Sequence, residues 1–289
     1  MKMARSNLGD ILVTGASGVI GAAIARRLGT AGYPLHLTAR DPGKLRGLQT
    51  ELEKQGMTVA TYALNLSKPE DPERVISEFF NRAPQPYGLV CNAGNFGKLG
   101  QFIDLTIAEW LQGLQENFIA QVRLIHAFGK AVKSRPATDR CILVLSGAGL
   151  GANTSFEFLS SYSTSKAALT HLVEALAPEL AKVHTRINAI SPGQVSSGLT
   201  ETAIRAGVER AGPYALSAQK CKETGGVSPD LAAQLIEILF SPSSRGITGR
   251  LLSARFDRDV LQQNSPEVEK DPNLFRLRRI DNALFETKS

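Results

Sequence analysis

Tyr162 and Lys166 stand four residues apart in the run YSTSK, a separation that sets two side chains on one face of a helix. An ammonium beside a phenol favours the phenolate and draws its pKa from ~10 toward neutrality, where it can donate or accept a proton. In a chain with 5 Tyr such a pair alone is weak evidence, and a packed tyrosine with a solvated lysine is the plain alternative. The pair gains weight from a second run, TGASGVIG at Thr14–Gly21. There Gly15 allows a turn, Gly18 allows close backbone approach and Gly21 lets a following helix pack on the preceding strand. The helix N-terminus then offers unpaired N–H groups to a nucleotide pyrophosphate. Which nucleotide is read at LTARDPGK. Ala39 occupies the position where an acid would accept from the ribose 2′-OH of NAD, and Arg40 next to it suits the 2′-phosphate of NADP. NADP is the expectation, with NAD the alternative if Asp41 merely neutralises Arg40.

These residues need a frame. Short apolar runs alternate with stretches of helical periodicity from residue 10 to about 252, the pattern of βαβ units and a parallel sheet. Strands are expected at Ile11–Thr14, Leu35–Thr38, Thr58–Tyr62, Gly88–Cys91, Cys141–Leu145, Arg186–Ile190 and Gly246–Leu251. Covering helices are expected at Val19–Ala31, Glu73–Arg82, Ala108–Lys133, Tyr162–Val183 and Pro229–Phe240. The expected fold is therefore a Rossmann-type, doubly wound α/β sheet of seven parallel strands in a single domain over residues 1–254, with a C-terminal extension at 255–289. Residues Ser197–Gly226 read as a long loop over a site.

Composition narrows the classes. The 289 residues are 43% hydrophobic and 21% charged, with a net charge of +6, a balance suited to a globular chain with a sizeable core. Nearly all of the excess lies in the first 50 residues, which hold seven Lys/Arg against two Asp/Glu. The cluster Arg40, Lys44 and Arg46 suits one phosphate group, and no long basic run argues for nucleic acid. Cys91, Cys141 and Cys221 lack metal-type spacing and read as small buried hydrophobes in a reducing compartment. No stretch approaches the ~18 apolar residues of a membrane span, so no membrane partner, no metal site and a cytoplasmic location are expected. His126 and His171 lack partner groups, and the lone Trp110 reads as a helix anchor.

In order along the chain come TGASGVIG, Asn92-Ala93-Gly94 after the fourth strand, Asn117 in a long helix, Ser146 after the fifth strand, YSTSK, and SPG at Ser191–Gly193. That ordered set, over about residues 8–254, resembles the classical short-chain dehydrogenase/reductase family. The resemblance implies an NAD(P)-dependent oxidoreductase acting on a carbonyl/secondary alcohol pair, with reduction the expected direction for NADPH. It implies that Tyr162 exchanges a proton with the reacting oxygen and that Lys166 lowers the tyrosine pKa and holds the nicotinamide ribose. Asn117 keeps a water in a proton relay, and Ser146 hydrogen-bonds the reacting oxygen. For the cofactor it implies Gly15, Ser17, Gly18, Ile20 and Gly21 in the turn, Arg40, Asn65 and Leu66 at the adenosine end, and Asn92, Ala93 and Gly94 on the floor. Pro192, Gly193, Val195 and Ser197 border the nicotinamide. Family members commonly pair through two long helices, so a homodimer or homotetramer is expected.

Three positions depart from the family pattern. Gly147 stands where a second serine is usual, and Ser146 precedes Tyr162 by 16 residues, more than the usual interval, so Ser155 is the alternative serine. Asn65 replaces a common aspartate, and Ser197 a common threonine. Two other functions share this fold: an epimerase or lyase using the same tyrosine, and a catalytically silent nucleotide-binding redox sensor. The sensor has no need of Asn117, Tyr162 and Lys166 together. In the tail, Leu274, Leu277, Ile280 or Asp281 and Leu284 recur at helical spacing, so a short helix after Asp271 is expected to dock on the same or a neighbouring subunit, near enough to the Ser197–Gly226 loop to restrict the substrate mouth.

Overall fold

The computed structural model describes residues 8–146, 156–271 and 273–276. Its seven strands are β1 (Asp10–Val13), β2 (Leu35–Ala39), β3 (Val59–Ala63), β4 (Pro86–Cys91), β5 (Arg140–Leu145), β6 (Thr185–Ser191) and β7 (Leu251–Ser253). They form one all-parallel sheet in the order β3-β2-β1-β4-β5-β6-β7. Ile11, Leu12 and Val13 are fully buried, as are Ile142, Leu143 and Val144. Strands covered on both faces require such unbroken aliphatic runs. The chain reverses its winding between β1 and β4, and a crevice opens there at the strands' carboxyl ends.

On one face, α1 (Val19–Thr30), α2 (Arg46–Lys54) and α9 (Pro229–Phe240) bury Ile24, Leu28, Leu52, Ile236, Leu239 and Phe240. On the other, α3 (Asp71–Arg82), α5 (Ala120–Lys133) and α6 (Ser160–Ala181) bury Phe79, Leu124, Phe128, Leu169 and Val173. Each such side chain contributes about 1.5–3 kcal/mol. A third cluster lies over the crevice, where α7 (Gly198–Ala211) and α8 (Pro213–Thr224) pack Ala203, Ala211, Ala215 and Ala218 against Phe96 and Leu159.

Four expectations are corrected. Ser197–Gly226 is two helices rather than a loop. The helix expected over Ala108–Lys133 is α4 (Ile107–Leu114) and α5 joined by a π turn at Gln115–Ile119. The last strand begins at Leu251, because Gly249 takes a left-handed conformation that interrupts the run expected from Gly246. The extension forms its helix earlier than expected, as α10 (Arg258–Lys270), upstream of the segment after Asp271.

The extension docks on its own subunit. Leu261 and Val268 of α10 are buried in the α1/α9 core. Arg250 donates to the carbonyls of Leu274 (2.5 Å) and Val268 (3.1 Å), and the Leu251 N–H donates to Phe275 O (2.7 Å). The outer edge of β7 is thus partly paired by the chain's own tail, which blunts a sheet edge. From the described part of the extension, Arg255 and Phe256 reach the α7–α8 region, where with Gln194, Ser217 and Cys221 they border a cavity of about 650 Å³. Residues 273–276 are not helical, and residues 277–289, with Leu277 and Leu284, lie outside the described residues.

Candidate active site

The end of β1 is tied to the end of β4 through Thr14. Its hydroxyl donates to Val90 O (3.1 Å) and accepts from the N–H groups of Asn92 (2.9 Å) and Ala93 (3.0 Å). Asn92 Nδ2 donates back to Thr14 O (2.8 Å) and Gly15 O (3.1 Å). Gly15 has φ +66° with Ala93 at its back, a conformation a side chain would strain. A Cβ at Gly21 would lie 2.4 Å from Gly15 O and 2.8 Å from Asn92 Nδ2. The turn therefore closes only with glycine at both places. Gly18 caps α1 without a side-chain hydrogen bond, leaving first-turn N–H groups facing a cleft of about 350 Å³.

The cleft brings together most of the expected cofactor residues. Gly15, Ser17, Gly18, Ile20 and Gly21 line one wall, and Arg40, Asn65 and Leu66 the adenosine end. Asn92, Ala93 and Gly94 form the floor and Ser197 the far rim. An open glycine turn, uncapped helix N–H groups and an exposed guanidinium fit a phosphate-bearing dinucleotide. Pro192, Gly193 and Val195 stand apart from this lining. Val195 is buried and bridged to Gly226, and the Gln194 carbonyl accepts from Val227 N (2.9 Å), so this segment straps the end of β6 to the start of α9.

Residue reasoning missed Glu116 and Asn95 on the same floor. Glu116 accepts from Ser67 Oγ (2.7 Å), Gln112 Nε2 (2.5 Å) and Asn95 Nδ2. Burial pushes its carboxyl up, but these hydrogen bonds and the Arg40 guanidinium outweigh burial and hold it below the usual carboxylate range. The same Asn95 donates its N–H to Asn117 Oδ1 (3.0 Å). Gln112 is a local partner four residues before Glu116, but Ser67 and Asn95 come from segments that the sequence holds apart.

The reacting end sits where β4, β5 and α6 meet. Asn117 is fully buried in the π turn and donates through Nδ2 to Gly113 O (3.0 Å). A Cβ on Gly94 would fall 2.9 Å from Asn117 Oδ1 and 3.7 Å from Lys166 Nζ, so the cleft floor abuts both. Lys166 Nζ lies 5.8 Å from the Tyr162 ring centroid and donates to Leu145 O (2.8 Å). Trp110 anchors α4 to the start of α6, its Nε1 donating to Ser160 Oγ (3.0 Å). Tyr162 packs edge-on to Phe96 at 4.9 Å and near Phe156 at 6.5 Å.

Two findings differ from expectation here. Burial, with Tyr214 adding to it, holds the Tyr162 phenol well above its ordinary pKa, while burial opposed by Cys91 brings Lys166 down to about 8. In the ligand-free protein desolvation thus dominates the phenol, and Tyr162 carries its proton. Ser146 is also corrected as a substrate ligand. It is buried, its Oγ donates to Lys166 O (2.5 Å) and it shares a hydrogen bond with Thr170 Oγ1 (2.9 Å), so the hydroxyl braces α6 instead of facing the cleft. Ser155 lies outside the described residues. Among the described residues no helix is long and apolar enough to cross a membrane, and no cluster of His, Cys, Asp and Glu could hold a metal ion.

With the crevice, the glycine turn and the tyrosine–lysine pair in place, the chain is read as a nucleotide-dependent oxidoreductase of the Rossmann type. Residues 10–206 match the short chain dehydrogenase family, and the protein belongs to it. It is accordingly an NAD(P)-dependent dehydrogenase/reductase. Dehydrogenase/reductase SDR family member 4 of Sus scrofa is 28% identical over 238 residues, covering 82% of each chain. A crystal structure of a tryptophan variant of the actinorhodin polyketide ketoreductase with NADPH superposes with a TM-score of 0.76 at 24% identity, covering 89% of this chain and 99% of that one. A metagenomic short-chain oxidoreductase in complex with NADP gives 0.67 at 25% identity, covering 86% and 98%.

Proposed function

We propose that the protein is an NADP(H)-dependent reductase of a ketone, working on a carbonyl/secondary alcohol pair. The observation that carries this reading is the meeting of Gly94, Asn117 and Lys166 at one end of a cleft whose other end holds Arg40. Arg40, exposed at the end of β2 where an acid would exclude phosphate, pairs with the 2′-phosphate. The relatives crystallised with NADPH and NADP agree with that choice. The bound nicotinamide supplies the hydride. Lys166 reaches the ribose hydroxyls from beside Gly94, Asn117 holds the relay, and Tyr162 gives its proton to the carbonyl oxygen as negative charge develops there. A phenol held protonated is the form that donation to a carbonyl needs. Assembly as a homodimer or homotetramer through α4, α5 and α6 accompanies this reading, supported by the exposed Leu111 and Ile107 on α4.

The test is a panel of ketones and secondary alcohols followed through the absorbance of the reduced nicotinamide, with NADPH and NADH compared. Net oxidation of NADPH with a ketone supports the proposal. Product formed without net nicotinamide change would replace it with the epimerase or lyase reading. Light scattering on the purified protein decides the assembly, and a 31.0 kDa particle at micromolar concentration removes that part.

A further inference from the structure

Stabilising a carbonyl oxygen during hydride addition calls for a second hydrogen-bond donor beside the proton donor, and Ser146 spends its hydroxyl inside the fold. Another hydroxyl is close at hand. Tyr214, second residue of α8, packs 5.4 Å from Phe96 and 5.6 Å from Phe156. The same two rings lie against Tyr162. Two phenols thus flank one pair of phenylalanines in the cluster that α7 and α8 lay over the crevice. Tyr214 also adds to the rise that burial imposes on Tyr162. Burial also raises Tyr214, opposed by the neighbouring Gln194 side chain. Gln194 is fixed from the far side, its Oε1 accepting from Ser217 Oγ (3.0 Å), and its buried Nε2 makes no well-aligned hydrogen bond among the described residues.

We propose that Tyr214 donates the second hydrogen bond to the reacting oxygen, in the place where the family has its serine. This rests on the ketone-reductase reading. As hydride adds to the carbonyl carbon, the C=O π pair moves to oxygen and Tyr162 transfers its proton there, becoming tyrosinate beside Lys166. Tyr214 keeps its proton throughout and contributes only the hydrogen bond, which gains strength in an aromatic, water-poor cage.

Tyr214→Phe keeps the ring and the packing, so a purely structural residue would leave turnover unchanged. The expected result is a fall in kcat of at least about tenfold with KM within about threefold and an unchanged melting temperature. Full kcat in Tyr214→Phe, alongside an inactive Tyr162→Phe, overturns this proposal and leaves the reductase reading standing. A loss of kcat in Ser155→Ala with none in Tyr214→Phe overturns it in favour of that serine. Wild-type protein inert toward every ketone with NADPH sinks both readings.

Discussion

The two ends of the crevice are built by different means. At the adenosine end, backbone does the shaping: Gly15 and Gly21 close the turn, Thr14 and Asn92 lock it to β4, and Arg40 waits at the rim. At the reacting end, side chains from distant segments meet in an apolar cluster, and their proton affinities follow burial more than pairing. The contrast teaches that a phosphate site can be written into eight consecutive residues, because backbone N–H groups and sterics suffice. A proton-transfer site cannot be, because its donors act through their surroundings.

The largest effect should come from breaking the reacting end alone. Tyr162→Phe is expected to cut kcat at least ~100-fold, the low end for loss of a general acid, while the dissociation constant for NADPH stays within about twofold. Near-full turnover in that variant would end the contrast by removing chemistry from the aromatic end. At the opposite end, Arg40→Ala should weaken NADPH by about tenfold or more, the size of a charge-assisted hydrogen bond, and leave NADH nearly unchanged. Isothermal titration with both nucleotides checks it; equal losses would show that Arg40 does not read the 2′-phosphate.

A smaller effect is expected from pH. Lys166 has its pKa lowered from 10.5 to about 8 by burial, so its ammonium is present below that pH and lost above it. The kcat/KM for reduction, which reports the free enzyme, should therefore hold below about pH 8 and decline as pH rises through it. A profile flat to pH 10 would mean that the lysine's charge is not used. The least effect on turnover is expected from Leu261→Ala, because α10 packs on the α1/α9 core and away from Tyr162. That change should cost about 2–3 kcal/mol, seen as a melting temperature several degrees lower with kcat unchanged. A raised KM with normal stability would instead return the extension to the substrate mouth.

How far the chain could be read follows the same division. The strand–turn–helix at Ile11–Thr30, the tyrosine and lysine of α6 and the order of the elements were legible, since each rests on contiguous residues or a fixed period. The helices α7 and α8 were not, because the residues they bury are chiefly Ala203, Ala211, Ala215 and Ala218, too small to mark an apolar stripe in a polar sequence. In α10 the core residues among the described side chains, Leu261 and Val268, stand seven apart among charges, so the buried face was hidden and the helix was sought farther along. Glu116 escaped notice because Ser67 and Asn95 become its partners only after their segments converge on it.

By itself the sequence determined the parallel sheet, the nucleotide turn and the presence of Asn117, Tyr162 and Lys166, because periodicity and glycine sterics act locally along the chain. Tertiary structure alone decided which hydroxyl is spent inside the fold. Ser146 follows a strand as the family pattern asks, yet its Oγ meets Lys166 O and Thr170 once α6 packs behind it. Tyr214, unremarkable in sequence, is carried by α8 to the rings that surround Tyr162. A hydroxyl's direction and a phenol's proton affinity are set by whatever packs around them, and packing joins residues that the sequence holds far apart.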